Sequence, residues 1–268
     1  DATGKMINMA RYAKEQGLNV ALFFIAITDN TLDFSERFVR TVMDAVDVDS
    51  VIIPDTFSKS LPGSIYFLTR KMKEWTGKPV EIHSHNALGM GTANALAGVM
   101  AGAEVVHVCV NGLGEGTGNA SLDTVVVNLK MMLGIDTGVK FEKTYALSRL
   151  VERCTRLQLQ ANWPLCGERV FTTEAGVAVD FLTRMAESGV APLEYDLATV
   201  IGRTRDVAVG KYSGSKSISV KMKRLGLPEV EKEVIDLILE QVKQKSIEKH
   251  DTLTDEEFKE IVSSFVST

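Results

Sequence analysis

The sequence lacks several features that would assign it to particular classes of protein. It has only three cysteines, and their odd number and wide spacing argue against a disulfide framework. It has no excess of basic residues, since its formal net charge is -5, which argues against a nucleic-acid partner. No apolar run approaches the roughly 20 residues of a membrane span, and the printed sequence does not open with a signal peptide. These absences predict a cytoplasmic protein with neither nucleic acid nor membrane as a partner.

What the 268 residues do have is a regular alternation of apolar and amphipathic segments. Four apolar runs are predicted to be strands, and segments with helical spacing lie between and around them. The predicted strands are 19–27, 49–54, 79–82 and 104–110, and the predicted helices are 5–16, 32–46, 64–76, 92–101 and 120–133. This alternation predicts an α/β fold with right-handed connections in a parallel sheet. The nearly continuous apolar runs predict strands that are covered on both faces.

Polar residues follow each of the four predicted strands. These strand ends are Thr28–Asn30, Pro54–Thr56, His83–Asn86 and Asn111–Asn119. In parallel α/β sheets the chemistry lies at the carboxyl ends of the strands, so these residues are candidates for a functional site. The last segment is rich in glycine, which lets its backbone approach a ligand closely, although a plain turn would have the same composition. A dinucleotide site fits poorly, because no ribose-binding acid follows some 20 residues on.

A pair of histidines ends the third predicted strand. Residues two apart on a strand point to the same side, so His83 and His85 can close on one divalent cation. Imidazole suits Zn, Mn, Co and Fe, whereas oxygen ligands suit Mg and Mn. The alternative is that the two rings are only polar decoration of a strand end. His107 and Cys109, in the fourth predicted strand, are expected to be core residues, with His107 hydrogen-bonded.

Several motifs together resemble one family of enzymes. The stretches Ile53–Thr56, Glu81–Asn86 and Val108–Leu122 are similar to isopropylmalate synthases and homocitrate synthases. That family belongs to the metal-dependent TIM-barrel lyases and Claisen condensing enzymes, which include hydroxymethylglutaryl-CoA lyase. Gly167–Phe171 and Val209–Gly214 resemble the small domain that follows the barrel in these synthases.

The resemblance implies a fold and a division of the chain. Residues 1–140 would be the C-terminal part of a (β/α)8 TIM barrel, matching its last four strands. Residues 141–268 would be a helical linker and a small, mainly helical subdomain. Four parallel strands cannot close, so the first would present an unpaired apolar edge. The missing half would come from residues that precede Asp1, which we favour, or from a partner chain.

The resemblance also implies a site. His83, His85 and Asn119 match the ligands of a divalent metal (Mg, Mn or Zn), and Thr56 matches the residue that binds the carboxylate of a 2-oxo acid. The co-substrate would be an acyl-CoA, and the assembly a homodimer. From the same polar strand ends, the further candidates are Asn86 and Asn111 for substrate binding and Glu115 for catalysis.

The chain departs from the family pattern at several positions. A first-strand motif that supplies a metal carboxylate and an arginine is absent. Where relatives have a Glu-Asp pair, an Asp, an Arg and two small-domain histidines, this chain has Ile25-Ala26, Ala87, Gly116, and Thr173 with Ala178. The histidines are tied to acyl-CoA deprotonation in the synthases, so their loss favours a second interpretation, a lyase or aldolase. A third interpretation is a non-catalytic subunit, against which the retained metal ligands argue.

Beyond residue 140 the sequence predicts helices. Residues 141–158 carry an apolar stripe that predicts core or a dimer contact, formed by Leu147, Leu150, Val151 and Cys154. Residues 229–245 are predicted to form an amphipathic helix with a solvated outer face. Thr254 and Glu257 have the spacing of a capping box at the start of the final helix.

Overall fold

The computed structural model describes residues 2–188 and 197–266, and its elements follow the predicted alternation. The strands are β1 (Ala21–Phe23), β2 (Ser50–Asp55), β3 (Val80–Ser84), β4 (Val105–His107), β5 (Thr172–Thr173) and β6 (Asp206–Val207). The helices are α1 (Ala2–Glu15), α2 (Leu32–Ala45), α3 (Pro62–Thr76), α4 (Gly91–Met100), α5 (Leu122–Leu133), α6 (Thr144–Thr155), α7 (Gly176–Glu187), α8 (Leu197–Val200), α9 (Ser215–Arg224), α10 (Lys232–Lys249) and α11 (Asp255–Phe265). In the described residues no helix is both long and apolar enough to cross a membrane.

By the density of its contacts the chain divides into two compact units. The first runs to Phe141 and includes Leu147–Leu157, and the second comprises Glu142–Ala146 and the chain from Gln158 onward. The first unit contains a four-stranded sheet in the order β1-β2-β3-β4, with every pair parallel. The predicted α/β class and parallel sheet are therefore confirmed. In the part of the chain that the structure describes, these four strands form an open sheet.

The two faces of this sheet differ. On the covered face, which carries Leu22, Val80 and Ile82, the side chains are buried against α2 and α3 in one apolar core. Gly98 of α4 lies so close to β3 that an added Cβ would meet Ile82 Cγ1 at 2.4 Å. On the open face Ser50 and Ile52 of β2 are buried, whereas Phe23, Glu81, His83 and His107 remain partly exposed.

Two predicted strands are shorter and more exposed than their apolar sequences suggested. The run 19–27 contributes only the three residues of β1, after which Ala26 adopts a left-handed conformation, and Phe23 and Ile25 are 38% and 71% exposed. The run 104–110 contributes only β4, and Cys109 lies beyond it, partly exposed. The prediction of burial on both faces was wrong here because β1 and β4 each pair with a single strand in the described residues. The predicted apolar edge of the first strand is confirmed.

The second unit is largely helical in its described residues. Helices α9, α10 and α11 pack around an apolar core that includes Ile218, Ile238 and Phe258. The capping box is confirmed, since Thr254 Oγ1 accepts the Glu257 N–H at 3.2 Å and the Glu257 carboxylate accepts the Thr254 N–H at 2.8 Å. The helix predicted at 229–245 runs over Lys232–Lys249.

The apolar stripe of α6, in the first unit, is buried only in part, since Leu147 and Val151 are half-buried and the other two positions are exposed. Leu150 is 47% exposed and Cys154 is also exposed. Apolar spacing predicts the helix but not what covers it. The alternative that this stripe is a dimer contact stays a prediction.

Candidate metal centre

The three predicted metal ligands lie together at the carboxyl end of β3. His83 is part of β3, and His85 follows it in an isolated antiparallel bridge with Asn119. The two imidazole rings have centroids 5.1 Å apart. The amide nitrogen of Asn119, a buried residue, lies 3.2 Å from His83 Nε2. Residues far apart in sequence thus converge at one point.

The glycine-rich loop is what brings Asn119 to the histidines. It folds back on itself through a hydrogen bond from the Asn119 N–H to the Gly112 carbonyl, and it docks on the histidine loop through the Asn86 N–H and the Gly118 carbonyl. Gly118 has φ +80°, and a Cβ there would lie 1.8 Å from the Gly112 carbonyl oxygen. A Cβ on Gly114 would lie 2.1 Å from Asn119 Oδ1. Glycine is therefore required for this approach, which makes the segment more than a plain turn.

His83 is held in its neutral form. Partial burial of the ring, together with the neighbouring His107 and His85, lowers the pKa of His83 to about 4. Burial disfavours the imidazolium because it removes the charge from water. At neutral pH the ring is thus the uncharged imidazole that binds metals.

Two residues of the site, Glu81 and His107, were not among the candidates predicted from the sequence. His107 Nδ1 lies 3.2 Å from His83 Nδ1, and His107 Nε2 lies 2.7 Å from a carboxylate oxygen of Glu81. His107 is hydrogen-bonded, as predicted, but its side chain is 32% exposed rather than buried in the core. The prediction failed because β4 is an edge strand. The parallel register that pairs His83 with His107 was the signal that could have found it.

The donors present fit a divalent cation in part. Two imidazoles and the oxygen of one carboxamide are donors that suit Zn or Mn, although here Asn119 turns its amide nitrogen toward His83. Within residues 2–188 and 197–266, no group of three or more His, Cys, Asp or Glu side chains could hold a metal ion, so no carboxylate accompanies the pair. The candidate set is therefore His83, His85 and Asn119.

Two of the candidate substrate-binding residues, Thr56 and Asn86, lie after the carboxyl ends of β2 and β3. Thr56 directly follows β2, and its Oγ1 is buried with no hydrogen-bond partner within residues 2–188 and 197–266. The preceding Asp55 is fully engaged, since its carboxylate accepts from Ser60 and from the amide of Asn94. The side chain of Asn86 accepts the N–H of Gly91, the first residue of α4. The hydroxyl of Thr56 is thus available to a substrate, whereas the side-chain oxygen of Asn86 already accepts a hydrogen bond from the start of α4.

The other two candidates lie in the fourth strand's loop. Asn111 is buried in a left-handed conformation with φ +59°, and its amide nitrogen donates to the Ser148 carbonyl at 3.1 Å. Among the described residues, its Oδ1 has no hydrogen-bond partner. Glu115 is exposed, and its backbone carbonyl accepts the Gly118 N–H. The roles predicted for Asn111 and Glu115 stay predictions.

A solved structure shares part of the fold of this chain. The hydroxymethylglutaryl-CoA lyase of Bacillus subtilis superposes with a TM-score of 0.50 and 18% identity, over 59% of this chain and 56% of that one. At this identity the likeness shows the fold alone, an α/β domain with a parallel sheet of the type found in that lyase.

Sequence relatives extend over nearly the whole chain. The 2-isopropylmalate synthase of Methanocaldococcus jannaschii is 32% identical over 97% of this chain and 50% of its own length. The homocitrate synthase AksA of Methanothermobacter thermautotrophicus is 34% identical over 98% of this chain and 66% of its own length. The (R)-citramalate synthase CimA of M. jannaschii is 36% identical over 89% of this chain and 47% of its own length. The chain therefore spans about half to two thirds of the length of these relatives.

A family model agrees with the motifs. The HMGL-like model matches residues 1–151, which contain the four-stranded sheet, the predicted metal ligands His83 and His85, and the glycine-rich loop. The family expected from the sequence motifs is confirmed, and the chain belongs to the HMGL-like family.

Proposed function

We propose that this chain carries the metal-binding part of an enzyme that condenses an acyl-CoA with a 2-oxo acid. The observation that carries the proposal is the meeting of His83 from β3 and His85, which follows β3, with Asn119 from the glycine-rich loop. Family membership and the names of the relatives, which are synthases of isopropylmalate, homocitrate and citramalate, support it. In this proposal residues 1–140 belong to the catalytic barrel and residues 141–268 to the linker and the small subdomain.

The proposed roles follow from the chemistry of each group. A divalent cation (Mg, Mn or Zn) would polarise the ketone of the 2-oxo acid and stabilise the alkoxide that forms on attack by the acyl-CoA enolate. Thr56, whose hydroxyl has no protein partner, would donate to the carboxylate of the 2-oxo acid. Asn86 and Asn111 would line the same substrate pocket. Glu115 is our candidate for the base that takes the α-proton of the acyl-CoA.

A lyase or aldolase of the same family is the second candidate. It is favoured by Thr173 in β5 and Ala178 in α7, where the synthases that this chain resembles carry histidines. Carbon–carbon cleavage would use the same polarised carbonyl with a different base. Both candidates therefore require the same cation and differ in the small subdomain.

We propose further that the protein acts as a homodimer and that additional strands complete the barrel. The exposed Phe23 and Ile25 at the β1 edge support the second part, because an apolar strand edge favours pairing with another strand. A non-catalytic subunit with this fold would bind the cation without turnover in either direction.

Condensation forms a thioester adduct, and its hydrolysis by water releases the free thiol of CoA. The test is therefore thiol release from acetyl-CoA in the presence of Mn²⁺ and a panel of 2-oxo acids of increasing side-chain size. We expect release with the wild-type protein, loss of release on chelation, and loss in His85→Asn. Ser84→Ala changes the residue directly before His85, on the covered face of β3. It is the matched control and should retain thiol release. Cleavage of a hydroxy acid or hydroxyacyl-CoA without any condensation would replace the synthase with the lyase. Turnover that is unaffected by chelation and by His85→Asn would contradict both.

A further inference from the structure

We infer that Glu81 and His107 act as positioning residues that hold His83 in the tautomer with a bare Nε2. The inference deepens the proposed function and rests on it for the identity of the bound species, a divalent cation. It concerns two open-face residues of the β3–β4 pair, neither of which is a proposed ligand.

The carboxylate of Glu81 fixes the first proton. One of its oxygens accepts the hydroxyl of Ser50 from β2, and the other lies 2.7 Å from His107 Nε2. An ionised carboxylate can only accept hydrogen bonds, so His107 Nε2 must carry a proton. In a neutral imidazole the other nitrogen, His107 Nδ1, is then bare.

The second proton follows from the first. His83 Nδ1 and His107 Nδ1 are 3.2 Å apart, and a single proton must lie between them for this contact to be a hydrogen bond. Because His107 Nδ1 is bare, His83 Nδ1 donates, and the lone pair of His83 is left on Nε2.

The other side of the His83 ring gives the same assignment independently. The amide nitrogen of Asn119 lies 3.2 Å from His83 Nε2. An amide NH₂ group can only donate, so His83 Nε2 must be the acceptor and cannot carry a proton. Two hydrogen bonds on opposite sides of the ring therefore require the same tautomer.

The sheet itself builds this relay. Glu81 and His83 alternate on one face of β3, and the register of the parallel pair places His107 beside His83. The pair Ile52 and Glu81 in the β2–β3 register brings Ser50 to the same face. From β1, Phe23 packs against the His83 ring in a T-shaped arrangement, at a centroid distance of 5.3 Å.

The consequence is that His83 Nε2 carries no proton before the cation arrives, and the Asn119 NH₂ group that donates to it has to turn away when the cation binds. A ring that is protonated at Nε2 would have to lose that proton or turn over in order to bind through this atom. Hydrogen-bond partners of metal-binding histidines contribute about 10–100-fold to metal affinity. Glu81 and His107 are expected to contribute on that scale.

Three substitutions separate this role from a general effect on folding. In Glu81→Gln, the Ser50 hydroxyl holds the carboxamide oxygen and directs the NH₂ group at His107, which reverses the donors and acceptors along the relay. In His107→Gln, the carboxamide can accept from His83 and donate to Glu81, so the original direction is preserved. In His107→Leu the relay is interrupted.

The first measurement is the imidazole nitrogen NMR spectrum of the metal-free protein. We expect His83 protonated at Nδ1 and His107 at Nε2 in the wild type and His83 protonated at Nε2 in Glu81→Gln. A wild-type His83 that is protonated at Nε2 would overturn the inference. This readout needs no metal, so it stands or falls separately from the proposed function.

The second measurement is Mn²⁺ affinity by calorimetry. We expect affinity about 10–100-fold weaker in Glu81→Gln and His107→Leu, and close to the wild-type value in His107→Gln. Equal affinity in all four proteins would overturn the inference while leaving the proposed metal centre intact. A wild-type protein that binds no divalent cation would instead contradict the proposed function.

Discussion

The two faces of β3 show how one five-residue strand serves two purposes. Val80 and Ile82 on the covered face are fully buried in the apolar core, whereas Glu81 and His83 on the open face are partly exposed and hydrogen-bonded. The period of two that separates the faces is a property of any strand. The covered face therefore governs stability and the open face governs the proposed chemistry, and each should be changeable without the other.

The two faces also differ in whether their polar side chains have hydrogen-bond partners. On the open face every polar group of Glu81 and His83 has a partner, which offsets the cost of partial burial. On the covered face the hydroxyl of Ser84 is buried without one. The open face thus has the connected network that a functional site needs to hold its groups in place.

The largest expected effect is on the covered face. Ile82→Ala should lower the free energy of unfolding by about 2–5 kcal/mol, because it removes buried methyl groups and leaves a cavity. Mn²⁺ affinity of the folded protein should stay at the wild-type value. Urea denaturation and calorimetry would check the two halves of this prediction, and a selective loss of metal affinity in a still-folded Ile82→Ala would break the separation of the faces.

A second substitution tests how tightly the covered face is packed against α4. Gly98→Ala places a methyl group 2.4 Å from Ile82 Cγ1, and such overpacking costs about 1–3 kcal/mol. The cost should shrink when Ile82 is Ala, because the smaller side chain makes room. A double-mutant cycle measured by denaturation would show this coupling, and additive effects would contradict it.

The third expected effect lies on the open face and depends on pH. The pKa of His83 is about 4 in the folded protein, against 6.5 for an ordinary histidine. Between these values the unfolded chain binds a proton at this ring and the folded chain does not, so the free energy of unfolding should fall as the pH is lowered from about 6.5 to 4. The change is expected to be modest because the ring is only partly buried.

The control for this pH effect is His83→Asn, which removes the titrating ring. Denaturation of the metal-free proteins at several pH values should give a shallower pH slope in the variant between pH 4 and 6.5. Identical slopes in the two proteins would contradict the assignment of a lowered pKa to His83.

The smallest expected effect is at the free edge of the open face. Phe23 is 38% exposed in β1, and Phe23→Leu should change the free energy of unfolding by no more than about 0.5 kcal/mol. The neighbouring Leu22→Ala, on the covered face, is the matched contrast and should cost about 2–5 kcal/mol. Similar losses for the two variants in thermal or urea denaturation would show that β1 is covered on both faces after all.

Much of the fold could be predicted from the sequence because local patterns determine it. Apolar runs and helical spacing gave the alternation of strands and helices, and the capping box at Thr254 marked the start of α11. The edges could not be predicted this way. The run around Phe23 reads as a two-sided strand, yet its burial depends on neighbours that the local pattern does not specify.

The candidate site shows the same limit. His83, His85 and Asn119 could be predicted to meet because they belong to recognisable motifs, and the structure brings them together. His107 could not, because an isolated histidine in an apolar run looks like a core residue. Only the register between β3 and β4 shows that it lies beside His83.

The most direct test of the central claim is a Mn²⁺ titration of the metal-free protein followed by electron paramagnetic resonance, in parallel with Ser84→Ala and His83→Leu. We expect one bound Mn²⁺ per chain in the wild type and in Ser84→Ala. In His83→Leu we expect the Mn²⁺ affinity to fall by more than about 100-fold, which exceeds the effect of losing a hydrogen-bond partner of a ligand. Equal binding by all three proteins would contradict the claim that the open face of β3 forms the metal centre.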